Sequence, residues 1–113
     1  MKTTKADFNL FKKAFIAWQN KLGLTQYDAY FEHVKLDGLY AQVYIDQMGK
    51  TVAARFNTDI GAGLVSKPED DAKHEAIHLL LSRLSWLGQA RYIENQDLEE
   101  EEEALVRRLE KVL

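Results

Sequence analysis

Two kinds of hydrophobic spacing share this chain, and the switch between them limits its fold more than any other feature. Phe8, Leu10, Phe11, Ala14, Phe15 and Trp18 recur mostly three or four residues apart. That is the period of one helix face, so residues 6–22 are predicted to form an amphipathic helix. Gly23 follows as a C′ residue, with Lys21 in the last turn. The pattern then changes. Residues 27–36, 39–46 and 51–57 are rich in strand formers, with Asp37-Gly38 and Gly49 as turns between them. Three short strands joined in this way predict an antiparallel meander.

Gly61, Gly63 and Ser66 mark a loop, after which helical spacing returns. Ser66-Lys67-Pro68-Glu69 fits a capping box, with Pro68 tolerated in the first turn. The helix it opens is predicted to run to about Leu87 and stop near Gly88. Ile77, Leu80, Leu84 and Leu87 project as its apolar stripe. A last helix is expected from about Gln96 to Val112. The fold class is therefore α+β, and the expected core contains Phe11, Phe15, Trp18, Val43, Ile77, Leu80, Leu84, Leu105 and Leu109.

The second helix also carries the chain's most informative motif. Residues 74 to 78 read His74-Glu75-Ala76-Ile77-His78, a complete H-E-x-x-H. Residues four apart share a helix face, so His74 and His78 can offer both imidazoles to one metal ion. Glu75 stands one step round the helix, where its carboxylate can take a proton from an activated water. Projection puts both histidines just beyond the Ile77 edge of the stripe, facing a cleft.

A third ligand has to come from elsewhere. The chain has no cysteine, so a metal must be held by imidazole and carboxylate. The last helix contains five consecutive glutamates, Glu99 to Glu103. Most of such a run forms a solvated face. Glu102 is expected on the apolar side instead, because it lies three before Leu105, four before Val106 and seven before Leu109. A carboxylate there needs a metal or a cation to offset its burial. Glu102 is therefore the expected third ligand, with Glu103 and Glu99 as alternatives and Glu100 and Glu101 facing solvent.

Composition narrows the setting. A chain of 113 residues fits one domain spanning 1–113. A formal charge of −3 argues against a nucleic-acid surface. No apolar run is long enough to span a bilayer and no secretory signal is visible, so no membrane association and a cytoplasmic location are expected.

With these residues in place, the chain resembles a known group. The stretch HEAIHLLLSRL from His74, followed by the pattern Glu102-Glu103-Ala104-Leu105-Val106-Arg107-Arg108-Leu109-Glu110, resembles small gluzincin-type zincin metallopeptidases. These are the minimal zincins of bacteriophages and prophages, loosely similar to SprT-like proteins. The resemblance implies a zincin-like fold and a zinc ion held by His74, His78 and a glutamate of the last helix. It also implies Glu75 as general base, a protein or peptide substrate, and an edge strand at Thr51 to Asn57 that receives an extended peptide. Leu81 and Leu84 stand where a metzincin would carry its glycine and third histidine, and no histidine follows His78. Both departures point to a carboxylate as third ligand. Arg91, Tyr92 and His33 are eligible by type to stabilise an oxyanion. The alternative reading is a zincin-fold metal-binding interaction module without turnover, against which an intact Glu75 weighs.

Overall fold

A computed structural model describes residues 2–61, 67–89 and 92–113. The six elements run in chain order as α1 (Lys5–Lys21), β1 (Asp28–Val34), β2 (Ala41–Asp46), β3 (Thr51–Asn57), α2 (Pro68–Gln89) and α3 (Asn95–Glu110). The fold is α+β, as the change of spacing requires. No described helix is long and apolar enough to cross a membrane. Ser66, and with it the expected capping box, lies outside the described residues.

Local chemistry sets both ends of α1. Thr4 caps its start: the Asp7 N–H donates to Thr4 Oγ1 at 3.1 Å, and the Thr4 N–H donates to Asp7 Oδ2 at 2.8 Å. At the other end Gly23 takes φ +69°, a left-handed conformation that suits glycine. The Gly23 N–H then reaches Asn20 O at 3.3 Å and the Leu24 N–H reaches Gln19 O at 2.8 Å, closing a Schellman motif. The turn swings Leu22 and Leu24 into the core. The buried Gln19 amide donates to Leu24 O and Tyr27 O, which ties the turn to the start of β1.

The sheet departs from the expected meander. Its order is β1-β3-β2, with β1 parallel and β2 antiparallel to β3. Asp37-Gly38 therefore does not close a hairpin. Residues 35–40 carry the chain across the end of β3, and β2 lands on the far side. Asn57, the last residue of β3, explains how that crossing is held. Its buried side chain accepts from Leu36 N at 3.0 Å and Asp59 N at 3.1 Å, and donates to Leu36 O at 2.7 Å and Leu39 O at 2.6 Å. All four hydrogen-bonding positions of the amide are used. Residues 51–57 are thus the central strand, with Val52, Ala54 and Phe56 fully buried. The sequence expectation of an edge strand there is corrected, because β2 and β1 are the edges.

Helices α1 and α2 pack on this sheet, and α3 packs against α2. Phe11 stacks on Phe56 at 4.9 Å between centroids, and Phe31 meets Phe15 edge-on at 5.6 Å. Of the expected core, Phe11, Phe15, Leu80 and Leu105 are buried, and Trp18, Val43, Leu84 and Leu109 pack against them partly exposed. Ile77 is the exception, at 41% exposure. The buried side of α2 runs instead through Ala72, Glu75, Ala76, Leu79, Leu80 and Leu87. Counting only bulky residues missed Ala72 and Ala76, whose small side chains let neighbouring elements approach the helix closely.

Helix α3 shows a similar shift of phase. Glu101 and Leu105 are buried, whereas Glu102 and Val106 are exposed. Val106 had drawn the expected face round by one residue. The true face follows Leu98, Glu101, Leu105 and Leu109, which keeps three- and four-residue spacing. A cation does meet the buried carboxylate: Arg83 Nε of α2 lies 3.4 Å from Glu101 Oε2.

Replacing Asn57 by alanine should cost about 2–4 kcal/mol, since it removes four hydrogen bonds of a buried amide to part-buried backbone groups in and beside the crossing segment. Chemical denaturation would measure the loss. A change below about 1 kcal/mol would mean that segment needs no such anchor.

Candidate metal centre

The site is a face of α2 turned toward β2. Asp71, Glu75, His78, Ser82, Ser85 and Gln89 repeat at alternating four- and three-residue intervals, so they form one row along the helix. His74 flanks the row one turn before His78. Opposite stand Ala41, Val43 and Ile45 of β2, whose side chains share the helix-facing side of the strand. A cleft of about 830 Å³ lies between the two walls. A smaller hollow of about 350 Å³ adjoins it, where residues 38–41 approach Asp70, Asp71, His74 and Glu75.

The two histidines converge. Their Nε2 atoms are 3.2 Å apart, and their rings meet edge-on with centroids 4.8 Å apart and planes at 78°. Two imidazole nitrogens bound to one tetrahedral zinc, each at about 2.0–2.1 Å, would stand roughly 3.3–3.4 Å from each other. The observed separation matches that requirement closely. Both imidazoles are open to the cleft. The donor set suits zinc chemically, since imidazole nitrogen is one of its common ligands.

Glu75 stands differently. It is 7% exposed, on the boundary between the cleft and the packed side of α2. Burial pushes its carboxyl above the usual glutamate range; His78 and His74 oppose this when charged, and the Asp71 carboxylate adds to it. A carboxyl raised in this way is better suited to exchange protons near neutral pH than an exposed one.

A hydrogen-bonded chain ties the two walls of the cleft together. Tyr27 Oη donates to Gln47 Oε1 at 2.9 Å, Gln47 Nε2 donates to Ser82 Oγ at 2.7 Å, and Ser82 Oγ donates to Leu79 O at 2.6 Å. Its donors and acceptors alternate without conflict, so Gln47 pins the end of β2 against α2. Sequence reasoning missed this chain. Its members are far apart in sequence, and only Ser82 has a spacing to the histidines that could have marked it.

Other expected residues fall elsewhere. Among the described residues no group of three or more histidine, aspartate or glutamate side chains is gathered to hold a metal. The fold brings His74, Glu75 and His78 together and does not bring Glu102, Glu103 or Glu99 to them. The face assigned to Glu102 is corrected, for the exposed side of α3 carries it. His33 belongs to the packing of α1 on the sheet: it stacks on Phe8 at 4.9 Å, and its Nε2 lies 2.7 Å from Thr3 Oγ1. Tyr92 is 89% exposed, and Arg91 lies outside the described residues. Comparison with protein-family models, with curated proteins and with solved structures returns no match.

Glu75 has a thermodynamic consequence that can be measured. Its folded-state pKa is raised, so the folded protein holds the proton more tightly than the unfolded chain. The resulting stability is present below the ordinary glutamate value of about 4.3 and is lost as pH rises through the folded value. Metal-free wild-type protein should therefore lose stability relative to Glu75→Gln as pH rises from about 4 toward neutral. Thermal melts across that range would show it, and a pH-independent difference would contradict the burial argument.

Proposed function

We propose that this protein is a zinc-dependent hydrolase acting on peptide bonds, with His74 and His78 as metal ligands and Glu75 as general base. The observation that carries the reading is the convergence of two Nε2 atoms to 3.2 Å beside a buried glutamate. The sequence resemblance to minimal zincins supports it by analogy.

Zinc at this place would supply Lewis-acid polarisation of a carbonyl and acidification of water. The remaining work falls to the chain. His74 and His78 serve as neutral ligands, which fixes both rings with Nε2 toward the cleft. Glu75 accepts the proton of the attacking water at its carboxylate and, once protonated, can return it to the departing amine. Its raised pKa makes the carboxylate a stronger proton acceptor for the first half of that exchange. Asp71, on the same face, adds negative charge that favours a cation at the histidines.

The lack of a gathered third ligand among the described residues favours one further reading, a metal-binding interaction module without turnover. Glu75 separates the two. Glu75→Gln should keep its zinc, measured by elemental analysis, and lose peptide hydrolysis by at least about 100-fold. His74→Ala and His78→Ala should each lose most of the bound metal, whereas Glu102→Gln should retain it. A wild-type protein that holds stoichiometric zinc and cuts no peptide in a broad library would leave the interaction module standing.

A further inference from the structure

The outward face of α2 is unusual for a surface helix. At about 100° per residue, His74, Ile77, His78, Leu81 and Ser85 fall within an arc of about 100°. All five are exposed, on the side opposite buried Ala72 and Ala76. Ile77 and Leu81 are 41% and 43% exposed, where a solvent face ordinarily carries charged or polar side chains. None of the five has a fixed charge, so another apolar surface can approach them without desolvating an ion.

The histidines on this face supply half of a metal site. Nε2 atoms 3.2 Å apart make two corners of a zinc tetrahedron, and two corners remain. Among the described residues no third ligand is gathered beside them. The positions outside the described residues hold no histidine, cysteine, aspartate or glutamate. A second copy of the chain provides both missing corners at once. Twofold symmetry presents the same patch from each partner. With the axis through the metal, a second His74–His78 pair completes the tetrahedron. Ile77, between the two histidines in sequence, then lies close to its own counterpart, with Leu81 flanking.

We infer that one zinc ion joins two copies of this chain through His74 and His78 of each, with Ile77 and Leu81 packed round it, and that this pair is the resting form of the site. Ile77 and Leu81 of both copies bury far less than the roughly 1,200–2,000 Å² of a stable interface. The pairing therefore depends on the metal. Four imidazoles close the coordination shell and leave no position for water, so hydrolysis belongs to the separated chain. The resting role rests on the hydrolase reading, whereas the pairing rests on the histidines and the apolar face beside them.

The test is a zinc titration of the metal-free full chain, followed by analytical ultracentrifugation with elemental analysis of each species. Metal-free protein should sediment as a monomer. Zinc should convert it to a dimer that saturates at one ion per two chains, and X-ray absorption at the zinc edge should count four imidazoles in that dimer. His74→Ala and His78→Ala should stay monomeric at the same zinc level. Ile77→Arg sets like charges together at the contact and should weaken the dimer by at least about tenfold. Ile77 is exposed, so circular dichroism should show that variant folded as wild type. Peptide hydrolysis per chain should fall as zinc-loaded wild type is concentrated through the dimer range. A monomer holding one zinc per chain, or a dimer that survives chelation, would overturn the pairing; cleavage by that monomer would leave the hydrolase reading standing. Cleavage that stays constant through the dimer range would overturn the resting role. A half-stoichiometric, four-imidazole dimer that cuts nothing at any dilution would uphold the pairing and sink the hydrolase reading. Failure to bind zinc at all would sink both.

Discussion

The rotational phase of α2 is the constraint on which the rest of the molecule depends. Ala72, Ala76, Leu79 and Leu80 must face the packed interior, because they supply much of the surface that the other helices and the sheet bury. At about 100° per residue, that choice leaves no freedom for the remaining positions. His74 and His78 are carried to the open side, and Glu75 is caught at the boundary. Several buried apolar side chains, each worth about 1.5–3 kcal/mol, outweigh the cost of partly desolvating one carboxyl. The core thus raises the pKa of Glu75 while both imidazoles stay on the open side.

The opposite wall of the cleft depends on the strand order. If β2 followed β1 as a hairpin, it would lie in the middle of the sheet or on the side away from α2. The crossing over the end of β3, held by the Asn57 amide, delivers β2 to the edge beside the histidine face. Gln47 then fastens the other end of that strand to Ser82. A satisfied buried polar group at each end of β2 sets the position of the strand against the helix. Buried Glu101 has a comparable role on the far side of α2, where it holds Arg83 and, through it, Trp86.

Local patterns were legible in the sequence and non-local ones were not. The i, i+4 histidine pair needs only a helix, and the helix was plain from its spacing. The Gly23 turn was legible for the same reason. The sheet order was not, because pairing β1 with β3 is decided by contacts between Asn57 and residues 36–39, roughly twenty positions away. The two errors of helix phase share another cause. Ala72 and Ala76 look unimportant in a hydrophobicity count yet are fully buried, and Val106 looks decisive yet is exposed. Glu101 illustrates the limit well: the rule that a buried carboxylate needs a cation held, but Arg83 of the neighbouring helix could not be identified as that cation from sequence.

The account turns on whether His74 and His78 converge to hold one ion. The most direct test is an anomalous-difference map collected at the zinc absorption edge from crystals equilibrated with zinc. The account expects one strong peak between the two Nε2 atoms, about 2.0–2.1 Å from each. A fully occupied zinc elsewhere in the molecule, with the two imidazoles bonded only to each other, would contradict it.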